Sequence, residues 1–192
     1  MKTQIGVMGS AGGPMTPEQL ERAYRLGRRI AERACVTVTG ACPGFPDAAV
    51  HGASDAGGVT IGISPAHSRA EHVGTYASPL EPYDVLVFSG SGLMGREVQN
   101  VHSSDIVLFV GGRSGTLGEF AIAYDEGKLI GILAGSGGLS DDFANIAKLT
   151  GKDTGAVIVQ DADPERLVDR CLELYERAGP FLSSPTLVPK EL

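Results

Sequence analysis

Residues 106–119 of the chain, IVLFVGGRSGTLGE, decide the fold. The apolar run 106–110 predicts a buried strand, the glycines after it predict a tight turn, and the amphipathic segment 120–127 predicts a helix. Backbone N–H groups in the first turn of a helix have no internal partner, and the helix dipole places partial positive charge there. A strand that leads through glycines into a helix start is therefore a phosphate site.

The same stretch supplies several candidate ligand groups. Backbone amides are offered by Gly112, Arg113, Ser114, Gly115 and Thr116, and Thr116 adds a hydroxyl. Glu119 follows one turn later. A carboxylate near a helix N-terminus is often only a partner of the dipole. One turn from a phosphate loop, it can also reach the sugar that carries the phosphate.

Six further apolar runs resemble 106–110 and predict buried parallel strands. The seven runs are 5–8, 35–39, 59–63, 85–88, 106–110, 129–133 and 156–159. Helical patterns separate them, from Thr16 onward and at 46–56, 95–103, 115–127, 140–149 and 164–178. Thr16, Pro17 and Gln19 form a capping-box start for the first helix. The alternation predicts an α/β fold: a Rossmann-like, doubly wound, mostly parallel sheet with helices on both faces.

The 192 residues fit a single domain at 1–178, followed by a tail at 179–192 that is rich in Pro and Ser. Residues 65–84 show no clear periodicity, which is typical of a lid or an interface arm. This segment holds His67, Arg69, Glu71 and His72, which can bind ligands or face water. It carries no motif that indicates a particular chemistry.

Composition and charge exclude several classes of binding partner. The net charge is −7 with no block of Lys or Arg, so no nucleic-acid partner is expected. No apolar stretch is long enough to span a bilayer, and no signal sequence is visible, so we expect a cytoplasmic protein with no membrane partner. Cys35, Cys42 and Cys171 lack the spacing of metal ligands. We expect no metal and no cofactor.

Ligands in open α/β sheets bind outside the carboxyl ends of the strands, where the strand order reverses. Four predicted strands end in glycine-rich segments: 9–13, 40–44, 89–92 and 112–119. We expect the first strand beside the fourth and the fifth beside the fourth, so that Ser10, Arg96 and Glu119 surround one crevice. Alternatively, Arg96 is a surface residue that pairs with Glu97 or Asp105. The dinucleotide fingerprint and the Walker pattern are both incomplete, which disfavours NAD and ATP hydrolysis.

Together these residues resemble the Lonely Guy (LOG) family, which cleaves nucleoside 5'-monophosphates into free base and ribose 5-phosphate. The resemblance covers roughly the first 160 residues. Its signature P-G-G-x-G-T-x-x-E aligns without gaps on 111–119, and its catalytic arginine falls on Arg96. Further matching segments are Gly9-Ser10, Gly40, and 55–58 leading into 59–63.

Four positions depart from the family pattern. Gly111 replaces the proline, Arg113 replaces a glycine, Gly118 stands where plant-type members have an acid, and Glu97 replaces the usual lysine. These departures suggest a divergent member of the wider SLOG superfamily, which also contains a molybdenum cofactor carrier and nucleotide-sensing domains. Cytokinin specificity is not supported.

The resemblance implies a nucleoside monophosphate phosphoribohydrolase in which Glu119 and Arg96 are catalytic. Glu119 would stabilise the oxocarbenium-like sugar and orient water, while Arg96 would hold the substrate and keep Glu119 ionised. The ligand would be held by eight residues: Gly9, Ser10, Gly40, Gly112, Arg113, Ser114, Gly115 and Thr116.

Two alternatives remain. The first is a carrier that binds a nucleotide or a phosphorylated cofactor without cleaving it, and the second is a scaffold whose glycines serve packing. The resemblance also implies a homodimer. The apolar run 120–124 supports it weakly, because a helix that is apolar around most of its circumference must be covered on more than one side.

Overall fold

The computed structural model describes residues 1–178, and the predicted tail at 179–192 lies outside the described residues. Within residues 1–178, seven parallel strands form one sheet in the order β4-β3-β2-β1-β5-β6-β7. The strands are β1 (Gln4–Gly9), β2 (Val36–Thr39), β3 (Val59–Ser64), β4 (Val85–Phe88), β5 (Ile106–Val110), β6 (Leu129–Leu133) and β7 (Val157–Asp161). The fold is therefore the Rossmann-like α/β class that the alternating sequence pattern predicts.

The expected strand order is wrong in one respect. β4 lies at the edge of the sheet beside β3, and β1 pairs directly with β5. The order therefore reverses between β1 and β5. The connection through α4 (Gly92–His102) must cross back from the edge strand to the centre of the sheet. This crossing still brings Arg96 above the reversal point, so the predicted crevice forms by a different route.

Helices lie between the strands on both faces of the sheet. Besides α4 they are α1 (Pro17–Glu32), α2 (Phe45–Asp55), α3 (Arg69–Gly74), α5 (Ser114–Asp125), α6 (Phe143–Thr150) and α7 (Pro164–Ala178), with a 3₁₀ helix at Gly138–Asp142 before α6. α1 begins with the predicted capping box, in which the Thr16 hydroxyl accepts from the Gln19 amide and the Gln19 side chain accepts from the Thr16 amide.

The strand β5 shows how the two layers are built. All five of its residues are buried. Leu108 and its same-face neighbours pack into the core beneath α1, α2 and α7, whereas Phe109 packs beneath α5 and α6 against Phe120 and Phe143. Because successive side chains of a strand point to opposite faces, a strand covered on both faces reads as an unbroken apolar run.

Residues 65–84 are more ordered than their sequence pattern suggests. They contain the short helix α3, and His72 within it is fully buried. Its Nε2 atom donates to the Pro79 carbonyl at 2.8 Å, and its Nδ1 atom lies 2.8 Å from the Ser64 hydroxyl. His72 therefore links this segment to the end of β3, and both of its ring nitrogens take part in structural hydrogen bonds.

Among residues 1–178, no helix combines the length and the apolar character that crossing a bilayer requires.

Candidate phosphate-binding site at the strand-order reversal

A cavity of about 280 Å³ opens at the point where the strand order reverses. The ends of β1 and β2 form its floor, and α4 and the N-terminus of α5 form its walls. It brings together nine of the ten predicted site residues: Gly9, Ser10, Gly40, Arg96, Arg113, Ser114, Gly115, Thr116 and Glu119. Gly112 lies behind the cavity, where it shapes the loop.

Two glycines turn the chain from β5 into α5. Gly111 and Gly112 have φ angles of +63° and +133°, which residues with a side chain rarely adopt. Their amides are anchored from neighbouring loops, since Gly111 donates to Ser136 Oγ at 2.8 Å and Gly112 donates to Ser10 Oγ at 3.0 Å. Because Ser10 Oγ accepts this bond, its own proton is available to a ligand.

The loop delivers the N-terminus of α5 into the cavity. Arg113 occupies the N-cap position and makes no side-chain cap, and the helix begins at Ser114. By helix geometry the amides of Ser114, Gly115 and Thr116 have no intrahelical acceptor. Three N–H groups and the positive end of the helix dipole therefore face a cavity that can hold an anion. The exposed Arg113 side chain extends over Gly12 and adds a positive charge at the rim.

Arg96 and Glu119 form an ion pair inside the cavity. Arg96 Nη1 lies 3.3 Å from Glu119 Oε1, and the two side chains are 10% and 6% exposed. Asn100 Nδ2 donates to the same carboxylate oxygen at 3.3 Å. The alternative in which Arg96 is a surface residue is therefore wrong, and Glu119 is directed to this pair instead of capping the helix.

Gly40 makes room for the arginine. A Cβ atom at this position would lie 1.8 Å from Arg96 Nη1 and 3.1 Å from Asn100 Nδ2. Any larger residue at the end of β2 would thus displace the guanidinium group. This close approach gives Gly40 a packing reason for its presence beside the cavity.

Burial controls the protonation of Glu119. It raises the pKa of this carboxyl to about 7, although Arg96 and the Asn100 hydrogen bond lower it. The expectation that Arg96 keeps Glu119 ionised is therefore corrected, because desolvation outweighs the ion pair and both protonation states are populated near neutral pH. The Cys42 thiol, which also lines the cavity, has its pKa raised to about 11 by burial.

Three residues at the site were not predicted from the sequence: Asn100, which contacts Glu119, and Leu93 and Glu97, which line the cavity. Asn100 lies four positions after Arg96 on the same face of α4, a spacing that could have revealed it. Leu93 lies at the rim, 55% exposed, and Glu97 is buried in the wall. Nothing in the sequence indicates that Glu97 turns inward, since a glutamate on an amphipathic helix usually faces solvent.

Comparisons with known proteins identify the family of the chain. A profile of the SLOG cluster4 family matches residues 2–168. An uncharacterised protein of Archaeoglobus fulgidus is 36% identical over 130 residues, which are 68% of this chain and 79% of that protein.

Two solved structures are also similar. The molybdenum cofactor binding protein of Rippkaea orientalis is 32% identical, with a TM-score of 0.72 over 91% of this chain and 98% of its own. The molybdenum cofactor carrier protein of Chlamydomonas reinhardtii is 28% identical, with a TM-score of 0.68 over 90% and 99% of the two chains. The predicted membership of the SLOG superfamily is confirmed, and the chain belongs to the SLOG cluster4 family.

Proposed function

We propose that this protein binds and carries a phosphate-bearing small molecule in the cavity at the end of β1, without cleaving it. The observation that carries the proposal is the N-terminus of α5, whose three free amides open into the cavity. The phosphate lies on the amides of Ser114, Gly115 and Thr116, and the Ser10 hydroxyl and the Arg113 guanidinium add donors. The rest of the ligand extends toward Leu93 on α4.

The molybdenum cofactor is the first candidate ligand, because two similar structures are named for binding or carrying it. It joins a phosphate group to a pterin, a nitrogen heterocycle with N–H donors. The cavity offers matching groups: helix amides for the phosphate, an apolar rim at Leu93, and carboxyl groups that accept from N–H donors. Cofactor carriage is the alternative function derived from the sequence, and the similar structures favour it over hydrolysis.

Retention of the cofactor tests this proposal. The purified protein is mixed under anaerobic conditions with cofactor released from a molybdoenzyme and is then passed through a size-exclusion column. We expect molybdenum and pterin fluorescence to elute with the protein, and to be lost with Arg113→Ala/Ser10→Ala, which removes two of the phosphate donors. Elution of all cofactor at the small-molecule volume would overturn cofactor carriage.

Hydrolysis of nucleoside monophosphates is the second candidate, and the pKa of Glu119 favours it. A carboxyl with a pKa of about 7 exchanges protons readily at neutral pH, as a general acid or base must.

To test for hydrolysis, the protein is incubated with AMP, GMP, CMP and UMP, and free base is measured by chromatography. Carriage predicts binding and no free base. Release of base from any of them, abolished by Glu119→Gln, would establish the hydrolase. No thermal shift with any nucleotide or phosphate would favour the scaffold.

A homodimer belongs to the same proposal. The helix α5, which the sequence suggested as its support, buries Phe120 and Ala123 within the chain and leaves Ala121 exposed. Exposed apolar side chains lie instead on β4 and α4: Val85, Val87, Phe88, Leu93, Met94 and Val98. We expect a dimeric mass in solution at micromolar concentration, and a monomeric mass there would refute the homodimer.

A further inference from the structure

Glu97 is a second buried acid in the wall of the cavity. It follows Arg96 on α4, is only 5% exposed, and lines the cavity beside the first turn of α5. Its carboxyl group lies against two glycines of that helix. A Cβ atom at Gly115 would lie 3.0 Å from Oε1, and one at Gly118 would lie 2.7 Å from Oε2. Both glycines thus leave the space that this carboxyl group occupies.

This position is costly for the protein alone. Burial raises the pKa of Glu97, and Arg96 opposes the rise. Within residues 1–178, Oε2 has no hydrogen-bond partner although it is fully shielded from solvent. The Arg96 guanidinium is directed to Glu119, and Glu97 forms no ion pair within 4.0 Å in the described part of the chain. A buried carboxyl oxygen without a donor destabilises the fold.

The position is also unfavourable for a bare anion. The first turn of α5 attracts negative charge, and a carboxylate placed there repels an incoming phosphate. A ligand that carries both a phosphate and a hydrogen-bond donor resolves the conflict. Its phosphate contacts the helix amides, while its donor contacts Oε1, the carboxyl oxygen that lies beside Gly115 and is not fully shielded.

We propose that Glu97 is a specificity-determining residue that accepts a hydrogen bond from an O–H or N–H group of the ligand. It thereby selects a phosphate monoester with hydroxyl or amino donors over a simple phosphate ion. The inference rests on the proposed function, because it assumes that phosphate binds at the start of α5. Glu97 and Gly118, two of the departures from the Lonely Guy pattern, become one coupled feature: the glycine on α5 accommodates the acid from α4.

The test compares two probes. Isothermal titration at one pH gives the affinities of AMP, which has ribose hydroxyls and an amino group, and of inorganic phosphate, for the wild type and for Glu97→Gln. Hydrogen bonds to charged groups contribute enough for the ratio of AMP affinity to phosphate affinity to fall about tenfold or more in Glu97→Gln. Glu173→Gln, which removes an exposed acid on α7, should leave the ratio unchanged.

Three outcomes distinguish a failure of the Glu97 inference from a failure of the proposed function. A ratio that is unchanged in Glu97→Gln overturns the inference, because a purely structural disturbance alters both affinities together. Gly118→Ala keeps the carboxyl group but displaces it, and we expect this variant to lower the same ratio, though not when Glu97→Gln is already present. A wild-type protein that binds neither probe removes the proposed function, and the inference falls with it.

Discussion

Arg96 Nη1 on α4 lies 3.3 Å from Glu119 Oε1 on α5, and both side chains are at least nine-tenths buried. This pair joins the two helices that flank the cavity where the strand order reverses. Removing one partner from a buried pair leaves an uncompensated charge, which costs about 3–5 kcal/mol. The pair therefore ties the stability of the fold to the geometry of the site.

Stability should fall with rising pH because of Glu119. Its pKa in the folded chain, about 7, exceeds the value in an unfolded chain, so the folded state binds more protons between the two values. This contribution is complete below the unfolded pKa and is lost as the pH rises through 7. Relative to Glu119→Gln, which cannot titrate, the wild type should lose roughly 3 kcal/mol of unfolding free energy between about pH 4 and pH 8.

Urea denaturation of the two proteins at matched pH values measures this difference. Groups common to both proteins cancel in the comparison, so the remaining pH dependence belongs to Glu119. Parallel curves for wild type and variant across the whole range would show that Glu119 titrates normally.

Gly40→Ala should displace Arg96 and weaken ligand binding in the cavity. The new Cβ atom would lie 1.8 Å from Arg96 Nη1, which forces the guanidinium group away from Glu119. We expect a loss of about 1–3 kcal/mol of stability, as for other overpacked sites, together with weaker AMP binding. Gly74→Ala is the control, because a Cβ atom there meets nothing within 4 Å. Equal behaviour of the two variants would argue against the arginine position described above.

The effect of Gly118→Ala on stability should depend on which residue stands at position 97. Alanine in a helix interior is favoured over glycine by about 1 kcal/mol, but a Cβ atom here would lie 2.7 Å from Glu97 Oε2. We expect destabilisation in the wild type and stabilisation in a Glu97→Ala background. A double-mutant cycle by urea denaturation measures the coupling. Additive effects would mean that the two positions do not meet.

Ser10→Ala should loosen the phosphate loop. The substitution leaves the Gly112 amide without its acceptor, which costs about 1–3 kcal/mol for a buried group. It also removes one donor to the phosphate, so affinity for inorganic phosphate should fall. Thermal unfolding with and without phosphate measures both effects. A stabilising shift by phosphate that equals that of the wild type would remove Ser10 from the binding site.

Much of the fold could be predicted because a buried parallel strand appears in the sequence as an unbroken apolar run. The β5 run from Ile106 to Val110 is apolar at every position, as a strand covered on both faces requires. The position of β4 could not be predicted. Val85 and Val87 are apolar like residues of a central strand, yet each is nearly half exposed at the sheet edge. Hydropathy identifies a strand but does not identify its neighbours.

The candidate site likewise has features that could be predicted from the sequence and features that could not. The glycine loop and the start of α5 follow from local sequence, because Gly111 and Gly112 adopt backbone angles that favour glycine. The inward turn of Glu97 and the pKa of Glu119 depend on packing between α4 and α5, and such contacts leave no local signal. The sequence therefore predicts the glycine loop and the helix start better than it predicts the protonation of the acids around them.

The proposed function requires that a phosphate group binds at the first turn of α5. Amide chemical shifts of ¹⁵N-labelled protein, recorded by NMR during titration with inorganic phosphate and then AMP, test it most directly. We expect saturable shifts that are largest for the amides of Ser114, Gly115 and Thr116 with both ligands. Shifts that cluster away from α5, or amides of these three residues that do not move at saturation, would contradict it.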